Sequence, residues 1–433
     1  MQKLYIFKNF LYFSADKSVY VKILSYLCAH QTYMNMETIM RASYLEQLKN
    51  FRDKQVIKVI TGIRRCGKST LLNQFQQYLI QEGVRQDQMI AINFEDIDNE
   101  PLCEYHAFHQ YIKERLHPTR MTYIFCDEIQ NVPSFQKAID SLYVKPNVDI
   151  YITGSNAQML SQELATLLSG RYVEIKMLPL SFKEYVSAMP GRALSECYMD
   201  YVRFGSFPYT LALDRQPELI TDYLQSLFST IVLKDVVARN KIQDPKMLDG
   251  VIRYMFDNIG NMASTKSIAD TMTSNARKID TRTVERYLSA LEEAFVLYSA
   301  SRFDIRGKQH LKTLGKYYGV DPGLRMALLG GRKYDRGRIL ENIVYLELLR
   351  RHKNVFVGKW DNMEVDFVCI EPSGLVYYQV ADTTKDDDTL HRELKPLLSI
   401  RDFYPKYLLT LDDDPEIDYD GIRKVNVLRW LLS

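Results

Sequence analysis

The chain lacks paired cysteines. Its six cysteines are scattered, without a CxxC pair, at Cys28, Cys66, Cys103, Cys126, Cys197 and Cys369. Because disulfides are rare in the cytosol, we interpret them as reduced thiols of a cytoplasmic protein. We also predict no zinc site, since a structural zinc ion needs four clustered cysteine or histidine ligands.

Two other features are missing: long apolar runs and an excess of one charge. No stretch reaches the roughly 18 continuous apolar residues that cross a bilayer, so we expect no membrane contact. The formal net charge is +2, which excludes a global polyelectrolyte, and nucleic-acid binding would therefore require a local basic patch. The 433 residues are too many for one core and indicate two or three domains.

Residues 1–40 are interpreted as an N-terminal extension. Charges interrupt their short apolar runs and no small-residue cleavage site follows, so we expect no signal peptide. Met34, Met36 and Met40 stand just before the first convincing helix. Either the native start lies there or residues 1–33 belong to the native protein, and the sequence leaves both interpretations open.

Residues 41–180 alternate between strands and helices. Apolar runs rich in β-branched side chains predict five strands, near residues 56–61, 89–94, 122–126, 148–153 and 172–175. Residues 69–81 carry apolar side chains at helical spacing. Strands that alternate with helices indicate an α/β fold in which a parallel sheet is covered on both faces.

Beyond residue 180 the pattern changes. Residues 181–249 indicate helices with aromatic ridges, which we interpret as a helical lid or linker. Residues 250–330 predict a short helix, a longer amphipathic helix and a two-stranded hairpin, which is the winged-helix order. Residues 331–433 open with a helix, alternate between strands and a second helix, and are expected to form a small α/β domain.

A phosphate-binding loop follows the first predicted strand. The pattern Gly-x-x-x-x-Gly-Lys-Ser is complete. The candidate nucleotide-binding residues are Thr70 and the eight residues of the pattern, which are Gly62, Ile63, Arg64, Arg65, Cys66, Gly67, Lys68 and Ser69. Glycines let successive backbone N–H groups point at phosphates, and the next helix aims its positive end at them. We expect Lys68 to neutralise the β- and γ-phosphates of ATP and Ser69 to ligate Mg²⁺.

An acid pair ends the third predicted strand. Asp127 and Glu128 follow an apolar run, and the ligands of an open α/β sheet gather at such strand ends. We expect Asp127 to hold Mg²⁺ through water and Glu128 to polarise the attacking water as general base. The fourth strand ends at Ser155 and Asn156, which could position that water or sense loss of phosphate. An Asx or Ser turn that caps a helix is the alternative.

Phosphoryl transfer also needs a cationic group at the developing charge. Arg171 is our candidate for this arginine finger, and an ordinary surface ion pair is the alternative. Arg64 and Arg65 lie inside the loop itself. They could contact phosphate or an adjacent subunit.

Taken together, these motifs resemble the AAA+ branch of the P-loop ATPases, in which an extra strand separates the P-loop strand from the acid-pair strand. Their order resembles, more narrowly, a family of bacterial and archaeal AAA+ ATPases with a C-terminal domain of unknown function. The residues that carry the likeness are 62–69, 127–130, 153–157, 168–171, 178–182, 317–325 and 341–344. The resemblance covers nearly everything after residue 40.

The C-terminal segment resembles the restriction-endonuclease-like fold. This resemblance implies a helix acid, a strand aspartate and an acid-x-Lys motif around Mg²⁺, and Glu341 and Asp366 suit the first two places. Gln379 and Ala381 stand where the second acid and the lysine are expected, and Lys385 is the nearby alternative lysine. We therefore interpret the domain as a degenerate nuclease fold, kept for binding or assembly.

The winged-helix segment is basic, although acidic residues share its longer helix. The basic residues are Arg277, Lys278, Arg282, Arg286, Arg302, Arg306, Lys308, Lys312 and Lys316. They could give salt-sensitive DNA binding, or they could face solvent or a protein partner. The leading hypothesis is an Mg²⁺-dependent ATPase that could form a homo-oligomer and whose domains move with nucleotide state. A slow switch acting through protein partners and an ATP-regulated nuclease are the alternatives.

Overall fold

The computed structural model describes residues 39–156, 170–275, 278–330 and 335–433. Most of the proposed N-terminal extension, residue 157, residues 168–169 and Arg277 lie outside these ranges. The account that follows concerns Arg41–Ser433. Within the described ranges the five cysteines are free thiols, and none of the helices is long and apolar enough to span a membrane.

Parallel strands form the first sheet, in the order β2-β3-β4-β1-β5. Their bounds are β1 Ile57–Thr61, β2 Met89–Asn93, β3 Thr122–Asp127, β4 Val148–Gly154 and β5 Tyr172–Lys176. Strand β4 pairs with both β1 and β3, so it separates the P-loop strand from the acid-pair strand, as the resemblance implies. The central strands are mostly apolar because both of their faces are buried, and the buried Lys58 of β1 pairs with Asp149 of β4.

Helices cover both faces of this sheet, and the predicted α/β fold is confirmed. The helices are α1 Ala42–Asn50 and α2 Lys68–Gln81 on one face, and α3 Tyr105–Lys113 and α4 Phe135–Tyr143 on the other. Val59 packs on the α3 and α4 side, whereas the next residue, Ile60, packs on the α1 and α2 side. Successive strand side chains point to opposite faces, so one strand contributes to two cores.

The predicted helices of the next segment are present. They are α5 Phe182–Ser187, α6 Leu194–Phe204, α7 Pro217–Thr230 and α8 Pro245–Asp257. After α7 the chain continues as a π-helix, Ile231–Ala238. The sequence pattern did not predict this widened stretch, because π-helices are rare and differ from α-helices by a single residue per hydrogen-bonded turn.

Two helices and a hairpin then follow in the order that the winged-helix prediction requires. After the short strand β6 Met262–Ala263, they are α9 Thr265–Asn275, α10 Thr281–Glu293 and the hairpin of β7 Leu297–Asp304 and β8 Gln309–Gly319. Strand β8 pairs antiparallel with both β7 and the short β6. The hairpin thus has a third strand, which is too short to be recognised by its residue pattern.

The C-terminal residues add strands to that same hairpin. These elements are α11 Pro322–Leu329, α12 Arg336–Arg351, β9 Val355–Trp360, β10 Met363–Glu371, β11 Gly374–Ala381, α13 Asp387–Ser399, β12 Lys406–Thr410, β13 Ile417–Tyr419, β14 Ile422–Asn426 and α14 Val427–Leu432. Strands β7 and β9 pair in parallel, which produces one nine-stranded sheet, β13-β14-β12-β11-β10-β9-β7-β8-β6. Backbone pairing therefore runs without a break across the boundary that we placed between residues 330 and 331.

Candidate functional site

The glycine loop between β1 and α2 has a backbone that only glycine adopts easily. Gly62 has φ +154° and Gly67, directly before α2, has φ +105°. A Cβ atom added to Gly62 would lie 2.1 Å from the carbonyl oxygen of Met177. Positive φ and close backbone approach both favour glycine. The loop therefore curls at the N-terminal end of α2, where backbone N–H groups bind anions.

Lys68 lies inside the curl of this loop. Its ammonium Nζ donates to the carbonyl oxygens of Gly62, at 3.0 Å, and Ile63, at 3.2 Å. The same Nζ lies 3.6 Å from Oε1 of Glu128. Because the residue is only 4% exposed, its charge lies inside the loop rather than in solvent.

Asp127 and Glu128 face the loop from the end of β3. Asp127 accepts a hydrogen bond from the Thr153 hydroxyl. Burial raises the pKa of Asp127 against the opposing effects of the Ser69 and Thr153 hydroxyls. Burial alone would also raise the pKa of Glu128, but the Lys68 ammonium, Gln130, Arg64 and Ser155 together outweigh it and the pKa is lowered. Glu128 is therefore ionised at neutral pH, as a general base requires.

Two polar residues that the sequence interpretation did not select tie the acid pair to β4. The Thr153 hydroxyl donates to Asp127 and accepts from the backbone N–H of Glu128 at 2.9 Å. The Gln130 amide donates to the Glu128 carboxylate and lies 3.5 Å from the Ser155 hydroxyl. Two features of the sequence could have indicated these residues. Thr153 is a hydroxyl residue near the end of a largely apolar strand, and Gln130 lies two residues beyond the acid pair. Glu128 itself has φ +53°, a strained conformation that is frequent at functional sites.

The other predicted loop residues divide into two groups. Ile63 and Cys66 bury their side chains in the core, so only their backbone can contact a ligand, and burial raises the pKa of the Cys66 thiol. Arg65, Ser69 and Thr70 are exposed or half-buried at the loop. Just after β4, Ser155 and Asn156 are each 1% exposed, and Ser155 lies beside Gln130 and Glu128.

Arg171 lies at the other end of the sheet. Its carbonyl oxygen accepts from the backbone N–H of Ile57, at the start of β1, whereas the loop follows the end of β1. Five strand residues separate these ends by roughly 13 Å. The guanidinium pairs with Asp140 and lies 5.4 Å from the ring centroid of Tyr143. The structure does not bring Arg171 to the loop of its own chain. Arg171 could therefore act as an arginine finger only at the loop of an adjacent subunit.

Arg41 is a structural support of the loop that the sequence did not indicate. Its guanidinium donates to the carbonyl oxygen of Cys66 at 2.8 Å and to that of Leu178 at 2.7 Å. It also pairs with Glu184 at 2.9 Å and is 2% exposed. One buried side chain thus fastens the last turn of the loop to the segment before α5.

The two predicted nuclease acids, Glu341 and Asp366, gather with Glu364 around a lysine of β8, which precedes the C-terminal segment. The Nζ atom of Lys316, on β8, lies 2.9 Å from Glu341, 2.7 Å from Glu364 and 3.7 Å from Asp366. Lys385, our alternative lysine, is exposed instead. Burial would lower the pKa of Lys316, but the three carboxylates outweigh it and raise the pKa. The ammonium therefore stays charged and fills the space between the acids.

Gln379 has a structural place in this cluster. Its side-chain oxygen accepts from the backbone N–H of Asp366 at 3.3 Å, and its amide donates to Glu393 at 2.8 Å. Ala381 is buried and offers no charge. Two of the groups that a nuclease of this fold would need are thus absent from β11, consistent with the degenerate interpretation.

We predict that Lys316→Met destabilises the protein by about 3 kcal/mol, because it leaves buried carboxylates without a counter-charge. Chemical denaturation followed by circular dichroism measures the change in the free energy of unfolding. Lys385→Met, which removes an exposed lysine, is the matched control and should change it by less than about 0.5 kcal/mol. Equal stability of the two variants would show that Lys316 does not join the hairpin to the C-terminal strands.

A glycine loop between a parallel strand and a helix, with an acid pair on a non-adjacent strand, defines a P-loop ATPase fold of the AAA type. The model of the family described as "AAA domain" matches residues 54–186. A second model, described as a domain of unknown function (DUF8612), matches residues 195–335. This second match spans both the helical segment and the predicted winged helix.

The chain belongs to this family of AAA-domain proteins, and the predicted resemblance is confirmed. It is 41% identical over 405 residues to an uncharacterized protein of Haemophilus influenzae, covering 92% of this chain and 100% of that protein. It is 31% identical over 362 residues to the uncharacterized protein MJ1544 of Methanocaldococcus jannaschii, covering 78% of this chain and 77% of that one. The relatives thus establish the family, but their names assign no role.

A solved structure supports the fold assignment. The chain is similar to the Walker-type ATPase PABY2304 of Pyrococcus abyssi, with a TM-score of 0.50 and 14% sequence identity, covering 67% of this chain and 95% of that chain. At this identity the likeness concerns the fold alone.

Proposed function

We propose that this protein binds ATP with Mg²⁺ at the loop of residues 62–70 and hydrolyses it. The observation that carries the proposal is the buried Lys68 ammonium inside the glycine loop, 3.6 Å from the Glu128 carboxylate. Backbone N–H groups at the start of α2 would bind the phosphates, and Lys68 would neutralise their charge. Glu128, ionised and held by Gln130, would accept the proton of the attacking water.

The residues at the loop also suit a magnesium ion. The Ser69 hydroxyl is close enough to the Asp127 carboxylate to lower its pKa, so two oxygen ligands of the type that Mg²⁺ prefers lie together. When bound, the ion would neutralise charge that develops on the phosphates. Thr153 holds Asp127 in place, and Ser155 and Asn156, just after β4, would orient water.

Calorimetry with Mg-ATP and a turnover assay test this proposal. We expect saturable binding and release of phosphate at a rate of roughly 1 s⁻¹ or below for a regulated ATPase, against typical enzyme rates of 1 to 1,000 s⁻¹. If the folded protein ignores Mg-nucleotide, the proposal is wrong. The same assay with and without DNA separates a motor from a switch, because turnover that DNA stimulates favours the motor. Turnover that DNA does not stimulate favours the switch if the mass of the protein in solution also differs between ADP and a non-hydrolysable ATP analogue.

DNA is the second candidate ligand, on the evidence of α10. This helix buries Val284, Tyr287 and Leu288 and turns Arg282 and Arg286 to solvent. In winged-helix proteins the second helix of the helix-turn-helix enters the major groove. Salt-dependent binding that weakens in an Arg282→Ala, Arg286→Ala double variant would support this role, and binding unaffected by salt would count against it.

The continuous second sheet limits how the chain could move. Because β7 of the hairpin pairs with β9 of the C-terminal part, and Lys316 pairs with acids of that part, we propose that these two parts move as one body.

The nuclease alternative is disfavoured by Gln379 and Ala381. Metal-dependent DNA cleavage that is lost in Asp366→Ala would restore it.

If Arg171 acts across a subunit boundary, an equal mixture of Arg171→Ala and Lys68→Ala chains should regain activity. Random neighbours in a head-to-tail assembly place an intact Arg171 against an intact Lys68 in about one interface of four. We therefore expect about a quarter of wild-type turnover from two nearly inactive variants. A mixture of Arg171→Ala with Arg171→Ala, Lys68→Ala chains supplies no intact Arg171 and is the control; no recovery in the first mixture argues for a structural Arg171.

A further inference from the structure

We infer that Asp235, on the π-helix, is a positioning residue for the phosphate loop and acts through Arg64. The inference rests on the proposed nucleotide binding and extends it. It assigns to the helical segment of residues 181–249 a contact with Arg64, which lies inside the loop. The contact joins two elements that are far apart in the sequence and that the family assignment alone does not link.

Arg64 is held by a side-on pair with Asp235. Its Nε atom lies 3.1 Å from Oδ2 of Asp235, and its Nη2 atom lies 3.3 Å from Oδ1. Glu95, after β2, accepts from Nη1 at 2.6 Å. The Asp235 side chain is 1% exposed and that of Arg64 is 14% exposed. Such two-point pairs fix the plane of a guanidinium as well as its position.

The π-helix presents Asp235 at this place. Within it, Ile231 and Val236 are buried in the core, Leu233 is 59% exposed, and Asp235 faces inward. Arg239, just after the π-helix, lies 3.4 Å from the same carboxylate. Arg64 and Arg239 therefore share one buried acid, and Glu95 supplies a second carboxylate to Arg64. Local π-helical turns occur frequently at functional sites.

The hydrogen bonds leave Arg64 able to contact phosphate. A guanidinium has five N–H donors, and among the described residues the bonds to Asp235 and Glu95 use three of them. The remaining donors belong to a side chain whose direction is already set. Phosphate oxygens at the loop would thus meet an oriented arginine, and the entropy of ordering that side chain would already be lost before binding.

Phosphate binding at the loop and the contact between the π-helix and Arg64 are expected to be coupled, because each must favour the other by the same factor. If Asp235 helps Arg64 to bind phosphate, bound phosphate must stabilise the π-helix on the loop by the same factor. Nucleotide occupancy would thereby be transmitted to α7 and α8, which flank the π-helix. No other subunit is needed for this link.

The test compares wild type, Arg64→Ala, Asp235→Asn and the double variant by calorimetry with Mg-bound, non-hydrolysable ATP analogue. Asp235→Asn keeps the size of the side chain and removes its charge. We expect each single variant to bind roughly tenfold more weakly, as for the loss of a charged hydrogen bond. The double variant should bind no more weakly than Arg64→Ala, because Asp235 acts only through Arg64. Asp222→Asn, an exposed carboxylate on α7, is the matched control.

Hydrogen exchange provides the second measurement, which a purely structural role would not change. Adding the analogue should slow amide exchange in residues 231–238 of wild type and of Asp222→Asn, and should have no such effect in Arg64→Ala. Additive losses in the double variant, or unchanged or tighter binding by Asp235→Asn, would overturn the inference. If wild type binds no nucleotide, the proposed function fails with it, whereas binding by wild type with an unaffected Asp235→Asn rejects only the positioning role.

Discussion

Lys68→Ala should abolish tight binding of Mg-ATP and reduce turnover by about a thousandfold or more, which is the scale of cationic stabilisation in phosphoryl transfer. The buried ammonium bonds to two carbonyl oxygens of its own loop and faces Glu128. Alanine removes this positive charge from the inside of the loop, where the phosphates would bind. Calorimetry and a steady-state phosphate assay would measure the two losses separately.

The same substitution has a second effect. Lys68 lowers the pKa of Glu128 against the effect of burial, so its removal should raise that pKa and weaken the proposed base as well. Lys54→Ala, which removes an exposed lysine just before β1, is the matched control and should behave as wild type. Hydrolysis at the wild-type rate by folded Lys68→Ala protein would exclude the loop from the mechanism.

Glu128→Gln should bind Mg-ATP with near wild-type affinity and hydrolyse it about a hundred to ten thousand times more slowly, which is the usual contribution of general-base catalysis. Glutamine has the shape of glutamate and can still accept a hydrogen bond from Gln130. It cannot take a proton from water. Single-turnover measurements with labelled ATP would show nucleotide that stays bound and uncleaved.

The control for this variant is Glu114→Gln, at an exposed position after α3. It should leave both binding and turnover unchanged. Retained hydrolysis in Glu128→Gln would assign the base to another group, and Asp127 would then be examined first. Loss of binding together with turnover would instead indicate that Glu128 serves mainly to hold Lys68 in the loop.

Much of the first sheet and its loop was predictable because the signals are local. The loop motif, the apolar strand before it and the helical spacing after it are contiguous, and each is explained by backbone geometry or burial within a few residues. Asp127 and Glu128 were identified in the same way, since parallel strands collect polar residues at their carboxyl ends. The order of β1, β4 and β3 came from the family resemblance and is confirmed by the pairing.

The sequence alone therefore determined the phosphate loop, the acid pair and the alternation of strands and helices, because each depends on neighbours along the chain. Only the tertiary structure decided which charges meet. Arg41 under the loop, Asp235 on Arg64 and Lys316 among the acids of the C-terminal part are all contacts between distant segments. A single arginine, aspartate or lysine carries no pattern that names its partner, and its burial becomes possible only when folding supplies the opposite charge.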